Sequence, residues 1–522
     1  MNSLPYPTGF VKPAILLIGL PGLLTLLFAT RWGVGLTPDA LVYVGSARSL
    51  LDGYGLALAV DGLAHTPITH HAPFYPFLLS LLTVGIIDPL VVARWLNAFL
   101  LGMNGLMVWA VVGSQYSVVG SRYSVWLPLV GGLLLLTVPM LEVHAYALTE
   151  PLFLLLLVGS VWFLARYLTA VEETTAVSPL HPYLIYTAIL LALACLTRYA
   201  GLAFVGAAVL ALFFFDNGSW RQRLGRGLLF GLLAGLPLGL WLLRNRLLAG
   251  TGTSRQLFFH PVHMGHMQQA VDTFSSWLLL PLPLPGLVKL GLLALLLVAG
   301  TGLLWWVYGR SLPPLFKLLG LFSLVYLLFL AVSISFIDAN TPLDQRILSP
   351  IYLMGLVGGI GVVTAVYTHK PLPSYLQLGG VGLLLLFLTA QGVQSVSWVQ
   401  QAHQDGLGFN QQVWQQSALL AEVRALPPDV ALYSNAPSAV HFLTGRPVQT
   451  LPRQMEATTQ QPNPNYQLEM VLLQERFAAE TAVVVYITVL PGGSAPTEAE
   501  LQETLNLHPQ TRLPEGVLYV TR

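Results

Sequence analysis

The chain has one cysteine in 522 residues, Cys195, set inside an apolar run, so it has neither an intrachain disulfide nor a cysteine-built metal site. Charge is almost as scarce. Asp, Glu, Lys and Arg make up 9% of the residues and leave a formal net charge of +1, which provides no electrostatic footprint for a nucleic-acid partner. An internal repeat, a low-complexity tract and the period-two alternation of a membrane β-barrel are also missing. The first apolar run, Pro13 to Thr30, lacks a small-residue cleavage site and is long for a signal peptide, so it reads as a retained first span.

What the chain does contain is apolar. Hydrophobic residues are 55% of the total and the mean hydropathy is +0.68, outside the range of soluble globular proteins. Leu-rich runs of spanning length recur, and the expected fold class is an α-helical polytopic membrane protein of about eleven transmembrane helices. The runs fall near 12–30, 90–113, 122–140, 150–168, 183–198, 200–215, 226–248, 284–308, 314–336, 348–367 and 375–394. The piece Phe74 to Ile87 is too short to span and reads as an interfacial or re-entrant helix.

The chain divides into a transmembrane domain, 1–394, with residues 31–88 as its first external loop, and a small soluble α/β domain, 395–522. In the second part, strands are expected at 430–435, 482–490 and 516–521, with helices at 410–425, 437–445 and 497–505. The basic cluster Arg221, Arg223 and Arg226 marks a cytoplasmic loop. With a cytoplasmic N-terminus and an odd number of spans, the C-terminal domain is expected to be extracytoplasmic. Several arginines then fall on the translocated side, against the usual charge bias, including Arg198, Arg244, Arg255 and Arg346.

The polar stretch 37–82 is the exception to the surrounding lipid-soluble sequence. It holds Asp39, Asp52 and Asp61 with His65, His70 and His71. Asp39, Tyr43 and Ala47 recur every four residues and share one helix face. Asp39 suits two roles, an N-cap for the helix that TPDALVYV begins or a general base at the membrane boundary. Glu150, in ALTEPLFLLLLV, opens a long apolar helix on the same side; it is either a helix-start acid or a partner of Asp39. Two such carboxylates could share a divalent cation, Mg²⁺ or Mn²⁺ rather than zinc. His70 and His71 match no specific metal spacing and suit substrate hydrogen bonding or interfacial packing. Arg198, Arg244 and Arg346 each end or interrupt an apolar run; they either snorkel to lipid headgroups or form a phosphate pocket.

These residues carry a resemblance. Asp39 with Tyr43 and Ala47, LLDGYGL at 50–56, HAPFYPFLLSLL at 71–82, LTEPLFLLLL, LTRYAGLAF, WLLRNRLLAGTGT and DQRILSPIYL occur in an order that resembles the GT-C superfamily of polytopic membrane glycosyltransferases. The similarity is to the protein O-mannosyltransferase and aminoarabinose-transferase branch. It differs in having Asp-Ala at 39–40 where many members have Asp-Glu, and His-Ala-Pro at 71–73 in place of Lys-Pro-Pro.

The resemblance implies an inverting transfer from a polyprenyl-phosphate-linked sugar to an acceptor that is a protein, a lipid or a glycan. It makes Asp39 the base, Glu150 a second acid, and Arg346, Arg244 and Arg198 the donor phosphate site. Tyr43, His70, His71 and Tyr75 are then expected at the substrate. The partners are the lipid donor, the acceptor and membrane lipids, with no nucleic acid. The rival is a transporter or flippase of lipid-linked sugars, which would use the same arginines but no base; a plain membrane anchor would leave the polar interruptions unexplained. Asn435, His441, Arg446 and Arg453 are expected to line an acceptor site in the C-terminal domain.

Overall fold

The computed structural model describes residues 11–58, 65–83, 86–116, 123–173, 181–281, 283–369, 373–456, 459–479, 481–489 and 494–521, so Asp61 lies outside the described residues. Helix α1 (Lys12–Ala29) leads to α2 (Pro38–Leu51) and the short apolar α3 (Phe74–Thr83). Next come α4 (Pro89–Tyr116), a bent pair α5 (Tyr123–Leu133) and α6 (Val138–Ala145), and α7 (Glu150–Glu173). The shorter α8 (Pro182–Thr197) and α9 (Gly201–Phe215) precede α10 (Trp220–Ala249), α11 (Met264–Trp277), α12 (Gly286–Tyr308), α13 (Pro314–Phe336), α14 (Gln345–His369) and α15 (Ser374–Asp405).

Among the described residues eight helices are long and apolar enough to cross a membrane, and a ninth arises if the pair bent by 54° is one span. Helices α8 and α9 supply the other two expected apolar segments, but at 16 and 15 residues they fall short of a ~30 Å hydrocarbon core. The chain turns sharply between them at Arg198 (φ −149°, ψ 134°), so the two are separate helices and the arginine sits at their shared corner.

Close packing is set locally by small residues. A Cβ on Gly102 would come within 2.5 Å of Gly19 O, so α1 and α4 touch through their backbones. Outward faces such as Leu287, Leu295 and Leu378 are bare hydrocarbon, as spans facing lipid require.

The first external loop carries a two-stranded pair, β1 (Ala57–Leu58) with β2 (Thr66–Pro67), antiparallel. C-terminal to the spans, α16 (Gln412–Gln415), α17 (Ala418–Ala425), β3 (Ala431–Ser434), α18 (Pro437–Thr444), β4 (Gln449–Thr450), α19 (Tyr466–Ala479), β5 (Ala482–Ile487), α20 (Glu498–Leu505), β6 (Leu507–Leu513) and β7 (Gly516–Thr521) form an α/β unit. Its sheet has the order β4-β3-β5-β7-β6, parallel across β4, β3 and β5 and antiparallel at β5/β7 and β7/β6. Strand side chains alternate between two cores. Val484, Tyr433 and Tyr519 face α19 and α20, while Val483, Val485 and Leu432 join the core shared with the membrane part. Two-sided burial explains the unbroken apolar run of β5.

This unit is fastened to the end of the bundle that bears the polar loop. Leu36 bridges to Gly408, and Asn410 Nδ2 donates to Val34 O at 2.7 Å. Arg48 of α2 lies over the Phe442 ring of α18, 5.9 Å from its centroid. The last turn of α15 closes on the end of α1, where His403 stacks on Phe28.

Candidate active site

Helix α2 begins where Thr37 takes the N-cap position and its hydroxyl accepts from Ala40 N at 3.3 Å, with Pro38 in the first turn. The capping role therefore belongs to Thr37, and the Asp39 carboxylate is left for another partner. That partner is Arg346 in the first turn of α14, whose Nη1 donates to Asp39 Oδ2 at 2.7 Å. The Nε of the same guanidinium lies 3.2 Å from Glu150 Oε1. Arg198 forms the other ion pair of Glu150 and donates to Thr149 Oγ1 at 3.2 Å. Asp39, Arg346, Glu150 and Arg198 thus alternate in sign along one line, joining four elements that are far apart in sequence.

Glu150 is 2% exposed and does not line the adjoining cavity. Glu150, expected as a second acid beside Asp39, pairs with both Arg198 and Arg346 behind the cavity wall. The arrangement also bears on the divalent cation expected between Asp39 and Glu150. A guanidinium already stands between these carboxylates, and among the described residues no group of three His, Cys, Asp or Glu could hold a metal ion. The donor set does not fit the expected cation.

The cavity beside this line has a volume of about 410 Å³. Its polar end carries Asp39, Asp338, Arg198, Arg255, Arg346, His70 and His71, with Asp338 paired to Arg255 at 3.6 Å; Leu238, Leu242, Phe329 and Leu330 make an apolar wall. Burial alone would raise the Asp39 pKa, but Arg346, with smaller help from His71, outweighs burial and holds the carboxyl below the usual aspartate value. His71 is pushed down to about 4, chiefly by burial, and is neutral near pH 7. His70 is lowered too, first by burial and then by Arg255, whose Nη2 donates to His70 Nε2 at 3.1 Å.

The loop that presents these histidines is strapped from outside. Tyr199 Oη donates to Thr69 O and His71 O, at 2.9 and 3.1 Å, and Trp241 Nε1 donates to Tyr199 Oη at 3.0 Å. Arg244, expected at the donor phosphate, belongs to this strap and does not line the cavity. Its Nη1 donates to Ile68 O at 3.1 Å and to Asn245 Oδ1 at 3.0 Å, and its guanidinium lies 4.5 Å from the Trp241 ring centroid.

Arg255, a loop residue, takes the third basic place at the cavity wall. Sequence position gave little signal for it, because it interrupts no apolar run. Tyr43 lines the cavity and meets His71 edge-on at 5.2 Å. Tyr75, expected at the substrate, does not; it is fully buried behind Tyr43, its hydroxyl donating to Asn97 Oδ1 at 3.2 Å.

In the C-terminal domain, three of the four residues expected at an acceptor site are spent on backbone. Asn435 exchanges two hydrogen bonds with Ile487, His441 pairs with Arg446 O, and Arg446 donates to Leu426 O, Pro427 O and Val430 O. Arg453 lines a separate cavity between β4 and α19.

No protein-family profile and no curated protein sequence matches the chain. Among solved structures, ArnT from Cupriavidus metallidurans bound to undecaprenyl phosphate is similar with a TM-score of 0.57 and 14% identity, over 99% of this chain and 98% of that one. ArnT in the apo state gives the same TM-score, 0.57, over 98% of both chains at 14% identity. The archaeal oligosaccharyltransferase AglB from Archaeoglobus fulgidus, in complex with an inhibitory peptide and a dolichol-phosphate, is similar at a TM-score of 0.48 and 11% identity, over 92% of this chain and 70% of that one. The likeness to ArnT spans membrane helices and C-terminal domain alike. The protein shares its fold with ArnT, in a multi-pass membrane chain.

Proposed function

We propose that the protein is an integral-membrane glycosyltransferase that moves a sugar from a polyprenyl-phosphate donor to an acceptor hydroxyl on the extracytoplasmic side, with inversion at the anomeric carbon. The observation that carries this reading is the Asp39 carboxylate, hydrogen-bonded to Arg346 in a cavity where three arginines, Arg198, Arg255 and Arg346, meet an apolar wall. An anionic headgroup with a hydrocarbon tail has that polarity, and ArnT, which shares the fold, was solved with undecaprenyl phosphate bound.

The chemistry follows from charge. Asp39 accepts the acceptor's hydroxyl proton as its oxygen bonds to the anomeric carbon. The bond from that carbon to the phosphate oxygen breaks, and its electron pair leaves with the polyprenyl phosphate. Arg346, Arg198 and Arg255 take up that charge through directed N–H groups. Phosphate is a good leaving group, so no general acid is needed.

Arg346 links the two halves of the step. Before the donor arrives it stabilises the Asp39 carboxylate and makes it a weak base. A donor phosphate that draws Arg346 toward itself loosens that hold, and the Asp39 pKa climbs toward the ordinary value as the site fills.

The test is transfer by the purified chain in nanodiscs, offered a panel of undecaprenyl-phosphate sugars. Wild type should release undecaprenyl phosphate. Asp39→Asn should bind undecaprenyl phosphate with affinity within a few-fold of wild type and transfer about 10²–10⁴-fold more slowly. Near wild-type transfer by a folded Asp39→Asn removes Asp39 as base; lipid movement across vesicles with no sugar release would favour a flippase.

A further inference from the structure

The donor cavity is not the only polar space at Arg346. A second cavity of about 500 Å³ shares Arg346 and Pro342 with it and extends away beneath the C-terminal end of α15. Glu142 and Asp344 line this second space together with Tyr146 and Trp398, and Glu142 is hydrogen-bonded to the Trp398 indole. It also contains Gln345, whose side chain is shared with a third, open groove of about 400 Å³ along α11. Gln345 is fixed there. Its Oε1 accepts from Trp277 Nε1 at 2.5 Å and its Nε2 donates to Ser276 Oγ at 2.8 Å.

The groove is polar along its length in a protein that is mostly hydrocarbon. Gln268, Asp272 and Ser276 stand at four-residue steps on one face of α11, with Gln269 beside them. Asp272 is held by the buried ammonium of Lys289 at 2.7 Å, and is itself 41% exposed, so it keeps acceptor capacity toward solvent. Among the described residues Arg346 is the one basic side chain in the lining of either the second cavity or the groove, and it is already paired with Asp39. The donor side sets three arginines against two carboxylates, Asp39 and Asp338; this side has three carboxylates with the shared Arg346, and adds amides, hydroxyls and two aromatic rings.

We infer that the second cavity and the α11 groove together bind the acceptor, and that the acceptor is a neutral saccharide chain whose terminal hydroxyl is presented at Arg346 and Asp39. This rests on the glycosyltransferase reading above and adds the acceptor class. Carboxylates and side-chain amides recognise vicinal hydroxyls, since each accepts from or donates to a neighbouring pair, and aromatic rings take the apolar face of a sugar ring. An acceptor phosphate would meet Glu142, Asp344 and Asp272 with like charge. A peptide would look for a strand edge or apolar side-chain pockets, and neither lines this path. The helix face from Gln268 to Ser276 rises about 12 Å, enough for more than one sugar ring.

The test is acceptor binding by the full chain in nanodiscs with undecaprenyl phosphate present in every arm, so that donor-site occupancy is read separately. The probes are neutral manno-, gluco- and N-acetylglucosamine oligosaccharides, a phosphorylated disaccharide, and a Ser/Thr-rich peptide, followed by calorimetry. The expected result is saturable binding of a neutral oligosaccharide and not of the other two. Trp398→Ala should weaken it at least tenfold, and so should Gln268→Lys at an exposed position of α11. Undecaprenyl phosphate affinity should stay within twofold in both variants. Preferential binding of the phosphorylated probe or the peptide, no saccharide binding at all, or saccharide binding indifferent to these substitutions would overturn the inference. Failure of undecaprenyl phosphate itself to bind would instead strike at the donor reading.

Discussion

His71 shows how one side chain ties the site's electrostatics to the stability of its loop. It is mostly buried among groups that disfavour its charge: burial is the largest influence, His70, Arg255 and Arg346 add to it, and Asp39 opposes it. An unfolded chain binds a proton at this histidine near 6.5, whereas the folded chain waits until about 4. The unfolded state therefore gains protons first as pH falls, so the contribution is fully present above 6.5 and drains away toward 4. That gap corresponds to at most roughly 3 kcal/mol. Asp39, with its depressed pKa, stays charged across this window and adds its own loss only below the usual aspartate range. The expected outcome is a melting temperature that drops between pH 7 and 4.5, with a smaller drop in His71→Gln. An equal drop in both proteins would place the acid-sensitive group elsewhere. The same residues mark how far the site was legible in sequence. Asp39, Arg198 and Arg346 stood out because an ionised group at the end of an apolar run needs a partner. Tyr75 and Arg244 fall behind the cavity wall, because a motif's residues divide between wall and supporting layer and that division depends on tertiary packing. Arg255 went unassigned because a loop position has no periodicity to betray its direction.

Elements were legible in proportion to their apolarity. The long spans, strands β3, β5 and β7 and helices α18 and α20 all followed from runs and turn residues, and the break between α8 and α9 was visible as Arg198. Helix α11 was not, since its glutamines and histidines give no apolar stripe of spanning length and it is held by contacts with Leu343 and with Gln345 at the start of α14. Helix α19 and strand β6 were hidden for the same reason, being half-exposed covers of a sheet. A segment with no periodicity at all, the junction 406–411, decides where the C-terminal domain sits. Gly408 adopts φ +56°, and a Cβ there would lie 2.0 Å from Leu36 O, the backbone with which it pairs. Gly408→Ala should cost about 1–3 kcal/mol for the backbone conformation alone, plus a clash that only separation of the two strands relieves. Gly445→Ala is the control: it has a similar φ of +72° at the end of α18, but nothing within 4 Å of its Cβ. Limited proteolysis should nick the 406–411 junction in Gly408→Ala and leave Gly445→Ala intact. Equal resistance in both would mean that the domain is held by other contacts, Arg48 on Phe442 among them.

At the scale of the whole molecule, both ends of the bundle are charged, but for different purposes. At one end Arg226 pairs with Asp216 at 2.8 Å, and Tyr167 donates to the same carboxylate at 2.9 Å, beside Arg221 and Arg223. These are a closed structural knot and a basic loop of the kind retained in the cytoplasm. At the other end the arginines face an open cavity, the first loop and the C-terminal domain, so their breach of the charge bias coincides with a site suited to an anionic headgroup. This asymmetry predicts that the Asp39 end and the C-terminal domain lie outside and the 216–226 loop lies inside. Single cysteines can test it cleanly, because Cys195 is fully buried and the native background should be silent to a bulky thiol reagent. Glu475→Cys on the exposed face of α19 and Arg221→Cys at the start of α10 change surface positions away from both cavities. In intact cells a membrane-impermeant maleimide should label Glu475→Cys and spare Arg221→Cys, and permeabilisation should make the second reactive. The reverse pattern would put the donor cavity on the cytoplasmic side. The transfer chemistry would stand in that case, but its lipid-linked donor would have to be used on the face where nucleotide-activated sugars are also at hand, and the reason for a lipid carrier would be lost.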